Sequence, residues 1–293
     1  MMQYTCAVPM CQIDQLVEIA KTAEEVGFNS IALPDSIFYM EQQAADYPYT
    51  PDGSRMWNAD TPWVDPLIAA GAMGAVTSTL RFYTNVMKLG SRNPLLMARQ
   101  VGSVANLTND RFGFGVGIGW APEEFEWCGQ PYAKRGKRVD EMIEVIKLVL
   151  AGGMVEFHGE FYDFEKLQMS PAPSKPVPFY VGGHTEVALK RAVRVGDGWT
   201  SAMMTCEEAA ETIGKLKALL ADAGRADDPF EFQVVCIDKF DVDGHRDLAE
   251  AGVTDNIVMP WLLEGLGFDA PLDKKLDSLK CFADTYIHSG WQQ

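Results

Sequence analysis

Two patterns of apolar residues alternate along the chain. Short runs rich in β-branched and aromatic residues lie at 4–8, 30–33, 80–86, 111–116, 178–181, 198–202, 230–237 and 256–259. Between them, apolar residues recur at helical spacing. Ile13, Leu16, Val17, Ala20 and Ala23 form one such stripe, which stops at Gly27, a residue suited to closing a helix. Val139, Met142, Ile143, Ile146 and Val149 form another. Further helices are expected over 66–77, 94–107, 185–195, 207–222 and 274–288, with a short one near Asp247. Strand then helix, repeated about eight times, predicts a single α/β domain over residues 1–293: a (β/α)8 TIM barrel with loop insertions at the C-terminal face of its strands. A doubly wound open sheet shares the alternation but carries a glycine-rich phosphate loop after its first strand, and residues 4–13 contain no glycine.

Three connections are longer than tight turns, at 36–63, 120–132 and 152–177. The first carries Phe38, Tyr39, Tyr47, Tyr49, Trp57 and Trp63. It reads either as a lid over the barrel mouth or as packing at the barrel edge or a subunit contact. The third alternates around Gly159 and reads as a hairpin insertion.

Composition narrows the function. A hydrophobic fraction of 47% supplies an ample core. A net charge of −16 argues strongly against nucleic acid or an anionic membrane as the partner, though not against a local phosphate site built from backbone N–H groups. No run approaches the ~20 apolar residues of a membrane span. The N-terminal stretch lacks the basic-then-apolar order of an export signal, so the protein is expected in the cytoplasm. The six cysteines and four histidines are dispersed, so reduced thiols and no metal centre are expected.

Candidate chemistry concentrates where strands end. In the fourth strand, Gly113, Gly115, Gly117 and Gly119 share one face, opposite Phe112, Phe114, Val116 and Ile118. Gly113 and Gly115 read as small residues balancing large ones across the barrel. Gly117 and Gly119, at the mouth, read as room for a flat ligand beside the backbone. Gly182 and Gly183 end the fifth strand, just before a helix beginning at or after Thr185. That arrangement suits phosphate, a plain turn capped by Thr185 being the alternative. Asp35, after the second strand, occupies a catalytic position of the barrel or simply caps its loop. Glu123 and Glu124 read as solvated carboxylates or as acid–base groups, and the basic run 134–138 as a solvated helix face. No nucleophile motif is present.

As an ordered set, these segments resemble the bacterial luciferase-like monooxygenase superfamily, in particular its branch dependent on the deazaflavin coenzyme F-420. The carrying residues are Asp110 to Trp120 with Glu124 and Phe125, then 135–141, 181–185 and 196–199, over a likeness running from about Asp14 to Thr200. The resemblance implies a barrel enzyme, usually dimeric, with the tricyclic ring at the mouth. It implies a non-prolyl cis peptide beneath the ring at Asn85–Val86, after Thr84. It further implies that Gly117, Gly119 and Trp120 flank the ring, and that Gly182, Gly183, His184 and Thr185 receive the phosphate. Many relatives carry Asp-His after the second strand; here the pair is Asp35-Ser36, and Ser36 cannot be a comparable acid or base. Asp35, Glu124, a lid residue or water is then the expected proton carrier. The expected reaction is hydride transfer with a bulky, largely apolar small molecule, carried out by a homodimer. The alternatives are an FMN-dependent monooxygenase, a barrel hydrolase using Asp35 and Glu124 as a carboxylate pair, and a flavin-binding protein without catalysis. Bulky substitutions at Gly182 and Gly183 are expected to abolish phosphate anchoring and leave the fold intact.

Overall fold

Tyr4 and Cys6 of the first strand, β1 (Gln3–Ala7), turn outward against helices, while Thr5 turns into a barrel lumen and donates to Asp255 at 2.8 Å. The computed structural model describes residues 2–291. This period of two, with both strand faces buried, recurs around a closed barrel. The first half runs α1 (Leu16–Glu25), β2 (Ser30–Leu33), α2 (Pro66–Gly74), β3 (Arg81–Thr84), β4 (Met87–Lys88), α3 (Pro94–Leu107), β5 (Phe112–Gly117), α4 (Pro122–Glu126) and α5 (Arg135–Leu150). A hairpin of β6 (Val155–His158) and β7 (Asp163–Leu167) follows. The second half is β8 (Phe179–Gly182), α6 (Glu186–Val195), β9 (Gly198–Met204), α7 (Cys206–Asp222), β10 (Glu231–Cys236), α8 (Val242–Ala251), β11 (Asp255–Val258), α9 (Pro260–Leu263) and α10 (Leu272–Phe282).

The strand order β3-β2-β1-β11-β10-β9-β8-β5 closes through β3–β5 pairs, Phe82 opposite Phe112 and Tyr83 opposite Gly113, and every barrel pairing is parallel. The short β4 continues β3 past residues 85–86 and pairs Lys88 with Gly117. All eight strands expected from the sequence are present in the order expected. Helix starts follow local chemistry: Asp65 and Asn93 cap α2 and α3 ahead of Pro66 and Pro94, and Thr205 with Glu208 forms a reciprocal capping box on α7.

Three boundaries differ from the sequence reading. The 120–132 connection contains the five-residue α4, α2 ends at Gly74, and α10 ends at Phe282, followed by a wide helical turn over Ala283–Ile287.

The lumen is packed by Ala32, Tyr83, Tyr180 and Ile257. Gly113 and Gly115 make room for it: an added Cβ would lie 2.5 Å from the Tyr180 ring and 1.7 Å from Thr84 O, respectively. Toward the N-terminal end the lumen turns polar. Asp255 accepts from Thr5 Oγ1 and, at 3.1 Å, from Tyr83 OH, and Glu231 accepts from Arg81 Nη2 at 2.9 Å and Tyr180 OH at 3.0 Å. The opposite, C-terminal end is where loops converge. Among the described residues no helix is long and apolar enough to cross a membrane, and no group of three or more His, Cys, Asp or Glu side chains gathers as a metal site.

Candidate active site

At the mouth, β3 ends in Thr84, and the Asn85–Val86 peptide bond is cis. Thr84 is buried, and its hydroxyl donates to Gly115 O at 2.6 Å. Asn85 reaches across the barrel, Nδ2 donating to Thr200 Oγ1 on β9 at 2.7 Å. Val86 is half-buried and seated between two glycines: a Cβ on Gly117 would lie 2.8 Å from Val86 Cγ2, and one on Gly182 3.1 Å from its Cγ1. The bare face of β5 is therefore not an open slot beside the backbone, as the sequence reading has it. It is the seat of Val86, whose side chain becomes the apolar shelf of the mouth. Gly119 makes similar room for protein: it has φ +81°, and its missing Cβ leaves space for Phe125, 2.8 Å away.

Beyond the shelf, Gly182 and Gly183 lead into α6. Gly183 has φ +113°, and a Cβ there would sit 2.9 Å from Ala188 Cβ. Substitution at Gly183 thus strains the turn itself, which corrects the expectation that bulky residues here leave the fold unaffected. Gly183 O accepts from Trp199 Nε1 at 2.9 Å, and Thr185 Oγ1 accepts from Ala188 N at 3.3 Å as the helix cap. His184 Nε2 accepts from Ala202 N at 3.1 Å, which needs that nitrogen unprotonated. Partial burial also lowers the His184 pKa. The amides of Glu186 and Val187 meet no acceptor among the described residues, as expected for the first turn of a helix.

The 36–63 insertion lies over this mouth. Tyr47 packs edge-on to Trp120 at 5.5 Å and to Trp57 at 5.1 Å, while Tyr49 rests 5.7 Å from His184. Glu123 ties the insertion down, accepting from Ala44 N at 2.6 Å.

The carboxylates read as acid–base candidates have other work. Asp35 is buried; its Oδ2 accepts from Lys88 N and its Oδ1 from Arg92 Nη2, both at 2.8 Å. Glu124, read as solvated, is 1% exposed and pairs with Lys88 Nζ. Burial raises its pKa against the pull of Lys88, and its Oε2 has no partner among the described residues. The pair needed for a hydrolase is thus locked into a chain, Arg92–Asp35–Lys88–Glu124, beneath the mouth. Ser36 stands beside it, half-buried, its hydroxyl bonded to no group among the described residues. The basic run is also corrected. Arg138 is buried and donates to Gly90 O at 3.1 Å and Pro131 O at 2.5 Å, and Arg135 Nε donates to Gly119 O at 3.1 Å. Lys88 and Arg92 went unnoticed in the sequence; the one available signal was a lysine interrupting the apolar run at 87–89.

Together these features define a (β/α)8-barrel protein whose C-terminal mouth is floored by Val86, flanked by the start of α6 and covered by the 36–63 insertion. Residues 5–251 match the family model of the luciferase-like monooxygenases, and the chain belongs to that family. It is 42% identical over 287 residues to an uncharacterised protein of Mycobacterium tuberculosis, covering 98% of this chain and 99% of that one. An F-420-dependent glucose-6-phosphate dehydrogenase of Gordonia bronchialis is 30% identical over 192 residues, 63% of this chain and 52% of the relative. Among solved structures, the coenzyme F-420-dependent tetrahydromethanopterin reductase of Methanopyrus kandleri superposes with a TM-score of 0.75 at 16% identity, over 98% of both chains. A monooxygenase from Streptomyces bottropensis gives 0.71 at 16% identity, over 98% of this chain and 99% of that one. At such identities the shared property is the fold. Members of the family are oxidoreductases and monooxygenases.

Proposed function

We propose that the chain is an F-420-dependent oxidoreductase, transferring hydride to or from a bulky, largely apolar organic substrate held in the aromatic-walled mouth. The same reading takes residues 1–293 as one catalytic domain that acts in the cytoplasm as a homodimer. The observation that carries it is the pairing of two surfaces. The apolar Val86 shelf between Gly117 and Gly182 suits a flat ring, and the uncommitted amides of Glu186 and Val187 beside it suit an anionic tail. The donor set fits: Gly183, His184 and Thr185 carry no acidic side chain, and the carboxylate of Glu186 that follows them is paired with Lys190. A relative named as F-420-dependent supports the deazaflavin, and one named as a pyrimidine monooxygenase is the ground for the FMN alternative.

The coenzyme, when bound, supplies the hydride chemistry. The chain supplies orientation and exclusion of water. Val86 and Asn85 fix the floor, Asn85 being held by Thr200. Tyr47, Tyr49 and Trp57 roof the site. Asp35 and Glu124 are each held by a cation, Arg92 and Lys88, in a buried chain beneath the mouth, which makes them structural supports of the floor in this reading.

Titration of the protein with F-420 and FMN in parallel, followed by tryptophan fluorescence, tests the reading. Saturable quenching by F-420 at micromolar levels with FMN much weaker is expected. The reverse preference would make the chain an oxygen-using FMN monooxygenase, and binding of neither removes the coenzyme site.

A further inference from the structure

Orphaned donors gather in the insertion over the mouth. Arg55 Nη1, Trp57 Nε1 and Trp63 Nε1 are each buried and meet no acceptor among the described residues. Arg55 is otherwise pinned: Nη2 donates to Met40 O at 2.5 Å, and the guanidinium lies 3.8 Å from the centre of the Tyr39 ring. It forms no ion pair among the described residues. A guanidinium stays charged at every physiological pH, and a buried charged donor left unpaired is among the costlier defects a protein carries.

Arg55 and Trp57 also line an open cleft of about 700 Å3 between the insertion, Met10 after β1 and Phe268 after β11. That volume is within the range of small-molecule sites, at the end of the barrel where ligands bind. The lining is mixed, with Met10, Met56, Trp57 and Phe268 interleaved in similar measure with polar groups such as Gln12 and Asn58. Asp60 and Asp269 border it too, but both are exposed and keep their water, so neither demands a partner. The cation on this cleft is Arg55, half-buried, with Nη1 left without a partner among the described residues. Ring contacts from Trp57 to Tyr47 to Trp120 link the cleft to the coenzyme end of the mouth.

We infer that this cleft takes the substrate and that the substrate is an amphipathic organic carboxylate. Its apolar body lies against Met56, Trp57 and Phe268, and its anionic head is received beneath the insertion by Arg55 Nη1 and Trp57 Nε1. The inference rests on the redox reading of the mouth and narrows its substrate class.

Calorimetric titration with 3-phenylpropanoate and with its neutral amide tests it, on wild type, Arg55→Gln and Trp57→Phe, each first checked for fold by circular dichroism. The acid is expected to bind wild type about tenfold or more tighter than the amide. Arg55→Gln should erase that preference without weakening the amide, and Trp57→Phe should weaken the acid by about threefold. Equal binding of acid and amide to wild type, binding of neither, or acid binding unchanged by Arg55→Gln overturns the assignment. Should Arg55→Gln not fold, the acid–amide comparison and Trp57→Phe decide it. F-420 binding, followed separately by the coenzyme's own absorbance, keeps the two readings apart. Carboxylate preference without F-420 binding would sink the hydride reaction and leave the cleft; the converse would sink the carboxylate alone.

Discussion

Asp255 lies out of reach of solvent on the lumen side of β11, with one oxygen shared by Thr5 and Tyr83 and Oδ1 unpartnered among the described residues. Burial pushes its pKa up to about 6, helped by Glu231 and opposed by hydrogen bonds from Thr5 and Tyr83 and by the charge of Arg81. In an unfolded chain an aspartate titrates near ~3.9, so the folded state holds this proton more tightly. Its contribution to stability is full below about pH 4 and is lost as pH rises through about 6. Asp255→Asn keeps the acceptor for Thr5 and Tyr83 and removes the charge. Denaturant unfolding from pH 4 to 7 should show wild type losing about 2–3 kcal/mol relative to the variant as pH rises. Parallel pH profiles for the two proteins would refute it. The sequence gives no hint of this group, because its environment comes from β1, β3 and β10, far apart in the chain. Asp35 shows the same limit: its place after β2 was legible, but its capture by Lys88 and Arg92 depends on contacts more than fifty residues away.

For the elements, legibility was high where burial is two-sided. Barrel strands read as compact apolar runs because helices cover one face and the lumen the other. The five-residue α4 was missed because PEEFE is too short to show a period. The periodicity of β5 put its glycines on one face, yet what fills their space comes from other segments: Tyr180, Thr84, Val86 and Phe125. The start of α6 carries its own test. Gly183→Ala places a Cβ at φ +113° and 2.9 Å from Ala188 Cβ, so it should lower unfolding stability by about 1–2 kcal/mol. On the proposed coenzyme reading it should also weaken F-420 by about tenfold or more through displaced amides, read by the same fluorescence titration. A folded Gly183→Ala with unchanged affinity would remove this turn from the coenzyme site.

Across the whole molecule, a net charge of −16 sets a long-range field that repels any phosphate-bearing coenzyme before it meets the local donors of α6. Added salt screens that repulsion over a Debye length of about 10 Å at 0.1 M. If F-420 is the coenzyme, as proposed, its stopped-flow association should therefore accelerate as ionic strength rises, with little change in dissociation. A rate that falls with salt would mean a local cationic funnel outweighs the overall charge.

The seating of Val86 has a consequence for how such a protein can diversify. A side chain added at Gly117 or Gly182 would press on that one residue, and one added at Gly115 would strike the backbone of Thr84, so these three glycines cannot enlarge without a shift of their neighbours. Enlarging Gly117 or Gly182 therefore calls for a compensating change at Val86. Substrate preference is more readily changed in the 36–63 insertion and in the loops carrying Met10 and Phe268, which wall the cleft and lie outside that packing. Related chains that differ in what they accept should therefore diverge in that insertion while their floors stay alike.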